Sequence, residues 1–100
     1  MEFKPSTRKN KKYMVKYKGQ WIHFGDTRYE HYRDKTPLKL YSYLDHDDHI
    51  RQLNYINRAM GIRDKDGFLT YNNPKSANYY ALRYLWRHNF NFIVLIYNES

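Results

Sequence analysis

Residues 45–61, DHDDHIRQLNYINRAMG, constrain the fold more than any other stretch of the chain. Ile50, Leu53, Ile56 and Met60 recur at the three-and-four spacing of one apolar helix stripe. The spacing predicts an amphipathic helix with Asp45 or Asp47 as N-cap. Asp45, Asp47 and Asp48 then stand at the positive end of its dipole, and Gly61 is a natural stop. Such a helix must bury its stripe, so the rest of the chain has to supply a matching apolar surface.

Two segments offer one. Lys12–Gly25, KYMVKYKGQWIHFG, alternates Tyr13, Val15 and Tyr17 against Met14, Lys16 and Lys18, which predicts a β-strand. Lys18-Gly19 or Gly19-Gln20 supplies the turn. The returning strand, Gln20–Phe24, sets Trp21 and His23 against Ile22 and Phe24. Further on, Ser76 is a natural N-cap for a helix from Ala77 to about His88, ringed by Tyr79, Tyr80, Tyr84 and Trp86. Thr27–Leu44 reads as irregular or as a short helical turn, with Leu38, Leu40, Tyr41 and Leu44 packed; Pro37 argues against a continuous helix there. Residues 62–75 read as a loop, with Phe68, Leu69 and Tyr71 in a short extended piece. Asn91–Tyr97, NFIVLIY, is β-branched and apolar and reads as a strand.

The expected fold class is α+β: a single small domain at 12–100, in which an N-terminal β-hairpin, extended by a C-terminal third strand, packs on two helices. A basic arm at 1–11 has no structure of its own. The core is small and rich in rings, since 12 Tyr, 5 Phe and 2 Trp outweigh the aliphatic residues. Their hydroxyl and indole groups need partners when buried.

Charge is placed unevenly. The net charge is +8, and residues 1–19 carry seven cations against Glu2. A segment of that kind most often meets a polyanion. The chain has no cysteine, so neither a disulfide framework nor a thiolate metal site is available. No apolar run follows the first charges as in a secretory leader, and none is long enough to span a bilayer. The expectation is an intracellular protein that is not secreted and has no membrane partner.

The chemical motifs favour binding over catalysis. No phosphate loop, nucleophile elbow or carboxylate pair is present, so no catalytic residue and no cofactor is assigned. His46 and His49 lie three apart on the expected helix, and His23 or His31 would supply a third zinc ligand. An acidic first turn with half-exposed histidines is the favoured reading, so no metal ligand is assigned. A ββα-metal nuclease has a similar outline, but about twenty residues separate this hairpin from its helix, and the strand end lacks the expected His pair. The basic-aromatic set is stronger. Arg8, Lys9, Lys11, Lys12, Lys16 and Lys18 interleave with Tyr13, Tyr17 and Trp21, so the cations can meet phosphates whether the rings face in or out. Arg51 and Arg58 share a side of the helix with Tyr55. They either present guanidinium groups to phosphate or pair with Asp48 and its neighbours.

Two spaced motifs carry a family resemblance. His23-Phe24-Gly25 followed by Tyr29 and Tyr32 is one, HFG-x3-Y-x2-Y. His46, Asp48, Arg51, Tyr55 and Arg58 form the other, H-x-D-x2-R-x3-Y-x2-R, with Tyr79-Tyr80 and Leu85-Trp86 beyond it. Over about residues 12–88 the chain resembles a family of small uncharacterised proteins of large nucleocytoplasmic DNA viruses, the giant-virus group. It departs from that pattern at Ala59, where a His is usual, and at Asn91–Tyr97, where a polar tail with Pro is usual.

The resemblance implies a virion- or genome-associated protein in the virion, host cytoplasm, viral factory or nucleus. It carries no established activity. It implies a structural network of His23, Gly25, Tyr29, Tyr32, His46, Asp48, Tyr55 and Trp86. With the charge distribution, it leads to the expectation of non-specific binding to nucleic acid, DNA in particular, through the phosphate backbone. The alternative is a minor capsid or scaffold protein, meeting an acidic virion protein and self-associating through Phe92–Tyr97. A metal-dependent, nuclease-like enzyme ranks below both.

Overall fold

The structure, a computed structural model, describes residues 1–86. The fold is α+β. Strands β1 (Phe3–Pro5), β2 (Lys11–Tyr17) and β3 (Gln20–Asp26) form one antiparallel sheet in that order. A 3-10 turn follows at Ser42–Leu44, then helices α1 (His49–Ala59) and α2 (Ala77–Tyr84).

The hairpin forms for the reasons its sequence suggests. Lys18 and Gly19 take φ of 48° and 80°, the left-handed pair that a two-residue turn needs to match strand twist. Tyr17 then faces Gln20 and Tyr13 faces Phe24. Tyr13, Val15 and Phe24 point inward and are fully buried. The basic arm, however, is not free of structure. Phe3–Pro5 pairs with β2, Phe3 opposite Val15. Phe3 carries the reason: its ring meets Tyr84 at 4.8 Å and Phe24 at 6.3 Å, so an aromatic residue anchors an otherwise polar segment. The third strand therefore comes from the N-terminus. The expected C-terminal strand, including Phe92–Tyr97, lies outside the described residues.

The inner sheet face packs on α2. Phe24 and Tyr80 lie 5.8 Å apart in a cluster with Tyr13, Val15, Ala81, Leu85 and Trp86. Burying rings of this size contributes about 2 kcal/mol each, more than the 0.5–1.5 kcal/mol of the ring–ring geometry. Area rather than stacking therefore holds this face. Ser76 caps α2 through Asn78 N–H, as expected, and the helix ends at Tyr84. Its terminal carbonyls are taken by the irregular 30s segment: Arg33 N–H donates to Leu85 O and Lys35 N–H to Tyr84 O. Leu38 and Leu40, expected to pack in this region, are exposed at 37% and 49%.

Helix α1 differs from expectation in three ways. It begins at His49, and Asp48, not Asp45 or Asp47, is the N-cap, accepting from Ile50 and Arg51 N–H. Asp45 is drawn off by a parallel bridge to His31, and Asp47 sits at φ 54°, so neither can cap. The helix is also rotated. Its buried face is Gln52, Ile56 and Ala59, and Ile50 is 67% exposed. Gln52 turns inward because its Nε2 donates to the Trp86 carbonyl at 3.0 Å, a demand that apolar periodicity does not register. Gly61 is not left-handed; Met60 ends the helix in the right-handed region, and the chain leaves through Gly61 N–H to Arg58 O. Residues 62–75 form no strand, only a bridge between Arg63 and Leu69, and Phe68 is 70% exposed.

Candidate functional site

Alternation along the strands decides what the outer sheet face offers. With Ile22 and Phe24 turned inward, Trp21 and His23 turn outward beside Lys4, Met14 and Lys16. Trp21 is partly exposed. The Lys4 and Lys16 ammonium groups stand 5.3 and 5.6 Å from its ring centre. Lys18 lies 5.5 Å from the Tyr17 ring at the turn. The acid at this edge is Glu2, 3.6 Å from Lys4, with both side chains about half-exposed; such a pair holds the lysine weakly. Arg8 and Lys9 are exposed in the β1–β2 connection. His23 bonds Ser6 Oγ at 2.7 Å, and burial, together with the Arg8 and Lys11 charges, lowers its pKa. The face is therefore basic through lysine and arginine, with an indole among the cations.

The cationic residues do not form one surface. Lys12 does not belong to the exposed cationic surface, because it is 2% exposed. Its Nζ donates to Tyr29 O at 2.9 Å and to His31 Nδ1 at 2.7 Å. Since His31 Nδ1 accepts, Nε2 carries the ring proton and donates to Asp45 Oδ1 at 2.7 Å. Burial lowers Lys12 to about 8 against the raising influence of Asp26, Asp34 and Asp45. Burial and the Lys12 charge lower His31, against the hydrogen bond to Asp45. This is a buried cation–imidazole–carboxylate row. Gly25 makes room for it, since a Cβ there would lie 3.0 Å from Lys12 Cβ and Cδ.

Beside the row lies a second buried polar cluster. Tyr13 OH donates to Asp34 Oδ2 and accepts from Leu40 N–H. Asp34 also accepts from Thr36 N–H and Oγ–H and from Tyr41 N–H. Burial raises the Asp34 pKa, but these donors outweigh it and leave the group below the usual carboxylate range. Burial and Asp34 push Tyr13 up.

Arg51 and Arg58 sit elsewhere. Among the described residues, a cavity of about 640 Å³ lies between the open end of the hairpin, residues 29–31 and the two helices. Lys11, Lys12, Arg51 and Arg58 are its cations, and Asp26 and Glu30 its acids. Each acid is engaged: Asp26 by Arg28 at 2.7 Å and Glu30 by Arg51 at 3.0 Å. Arg51 thus pairs with Glu30 rather than Asp48. Arg58 has no acidic partner among the described residues, only a 3.4 Å bond to Asn54 O.

The resemblance motif residues form contacts of a structural kind. Tyr55 stacks on Trp86 at 4.0 Å, with planes 5° apart. His46 lies 5.3 Å from Trp86, and Tyr32 lies 6.1 Å from His46 and 5.4 Å from His49. Tyr29 is 64% exposed and serves through its carbonyl. His46 precedes α1, so the shared helical face with His49 that zinc would need does not form. Among the described residues no group of three or more His, Asp or Glu is arranged to hold a metal. Local spacing gave no sign of the His31–Asp45 contact or the Tyr13–Asp34 contact, which join residues 14 and 21 apart. Lys4 was hidden by the unrecognised strand pairing.

The chain belongs to a family of unknown function, DUF5754, whose model matches residues 1–59. That span holds the whole sheet, the His31–Asp45 row and α1. No curated protein and no solved structure matches it.

Proposed function

We propose that this member of the family is a small basic protein that binds nucleic acid through its phosphate backbone, without sequence preference, on the outer face of its sheet. The observation that carries this reading is the partly exposed Trp21 with the Lys4 and Lys16 ammonium groups over its ring. Ammonium groups neutralise phosphates, and an indole among them can stack on an unpaired base at the cost of two weak cation–ring contacts. Arg8, Lys9 and Lys18 extend the cationic surface. The spacing of the HFG and H-x-D motifs supports a giant-virus setting, with DNA of the virion or viral genome as the partner.

Salt dependence tests it. Binding of random-sequence DNA is followed by anisotropy between about 50 and 200 mM salt. Lys4→Glu with Lys16→Glu is expected to reduce the salt slope by about 1.4 for a single strand and about 1.8 for a duplex. Lys65→Glu with Lys75→Glu, the same charge change away from the sheet, should alter it less. Absence of binding at low salt, or equal loss in both pairs, overturns the reading. Deleting residues 1–11 is unsuitable, because it removes a strand.

A second reading, a scaffold protein contacting other virion proteins, draws on Ile50 and Phe68, which are 67% and 70% exposed. Its test is association at micromolar concentration, lost on Ile50→Glu with Phe68→Glu.

A further inference from the structure

We propose that the cavity between the hairpin and the two helices binds a phosphate monoester bearing a ring-sized organic group, with Lys12 and Arg58 as its phosphate ligands. The inference is independent of the sheet-face reading, because neither residue lies on that face.

Charge balance comes first. Four cations line the cavity against two acids, and both acids are already held by arginines. The surplus matches the two negative charges a phosphate monoester carries near pH 7. Lys12 is the buried member. Two of its three N–H groups are taken, by Tyr29 O and His31 Nδ1. The third has no acceptor among the described residues; Asp26, Asp34 and Asp45 act on the charge without a hydrogen bond to it. The His31–Asp45 row fixes the lysine in place, so little freedom is lost when an anion arrives. Arg58 is exposed and lacks an acidic partner among the described residues. Its planar fork suits two phosphate oxygens.

Size and lining specify the rest of the ligand. A volume of about 640 Å³ lies within the range of small-molecule sites and exceeds what a bare phosphate fills. Tyr55, Ile62 and Leu85 give the cavity an apolar side, and Asn54 offers an amide. A nucleoside monophosphate has this combination of dianion, flat ring and polar edge. The phosphorylated end of a nucleic-acid strand presents the same chemistry.

Calorimetry on the full chain tests the site, with adenosine 5′-monophosphate and adenosine as probes. The monophosphate is expected to bind at least ten-fold tighter. Arg58→Glu, a surface change compatible with folding, should remove that preference, and Lys65→Glu with Lys75→Glu should leave it unchanged. Lys12→Met should also remove it; if that variant fails to fold, Arg58→Glu carries the test. A short oligonucleotide with a 5′-phosphate, compared with its 5′-hydroxyl form, separates the sources. Tighter binding of the phosphorylated strand assigns the site to strand ends, and equal binding assigns it to the free monophosphate. No phosphate preference in either pair, or one that Arg58→Glu leaves intact, overturns the proposal.

Discussion

Gly25 and Leu85 approach so closely that a Cβ on the glycine would stand 2.9 Å from Leu85 Cδ1. Gly25 also holds φ at +79°, so it combines a backbone demand with a packing demand. Gly19 has the first alone, with φ +80° and nothing within 4 Å of its would-be Cβ. Left-handed strain costs an L-residue about 1–2 kcal/mol, and overpacking about 1–3 more. Gly25→Ala is therefore expected to cost about 3 kcal/mol and Gly19→Ala about 1, read from urea midpoints. Equal costs would mean the hairpin end can shift away from α2.

Stability should rise with pH at both the acid and the alkaline end of the range. His31 has a lowered pKa, so as pH falls through about 6.5 the unfolded chain takes up a proton that the folded imidazole refuses, and stability falls. Asp34, also lowered, adds to the loss below about pH 4. Lys12 acts on the alkaline side. Between about 8 and 10.5 the unfolded lysine keeps a proton that the folded one has released, so stability rises with pH. Tyr13, pushed up by burial and Asp34, keeps its proton while unfolded tyrosine ionises, and ends that rise near pH 10. Urea titrations at pH 5, 7, 8 and 9.5 should show the pattern, and Lys12→Met should abolish the increase from 8 to 9.5.

Tyr13→Phe should be more costly than Tyr80→Phe. Removing the Tyr13 hydroxyl deprives the Asp34 carboxylate of a donor and Leu40 N–H of its acceptor. A lost bond to a charged group, with one N–H left without its acceptor, should cost about 3 kcal/mol. Tyr80 loses one bond, to the Pro74 carbonyl, worth about 1 kcal/mol. Thermal unfolding followed by circular dichroism ranks the two.

The orientation of α1 predicts unequal effects from two isoleucines. Ile56 is fully buried and Ile50 is 67% exposed. Ile56→Ala is expected to cost about 3 kcal/mol, and Ile50→Ala less than about 0.5. Asp48→Ala, which removes the cap on Ile50 and Arg51 N–H, should cost about 1 kcal/mol. A larger loss at Ile50 than at Ile56 would place the helix back on its apolar stripe.

What the sequence determined by itself was local. Period-two alternation from Tyr13 to Tyr17, a glycine in the turn, and Ser76 before an alanine-tyrosine repeat each act within a few residues, so hairpin and helices were legible with the α+β class. The tertiary structure decided which partners those elements serve. Phe3 became part of a strand because its ring finds Tyr84, 81 residues away in the chain (84 against 3). Lys12 became an interior cation because His31 and Asp45 wait behind Gly25. Asp45 gave up the helix cap, and Ile50 the core, because buried polar groups must be paired. Bonding by Asp45 to His31 and by Gln52 to Trp86 fixes chain positions that hydrophobic periodicity alone leaves free.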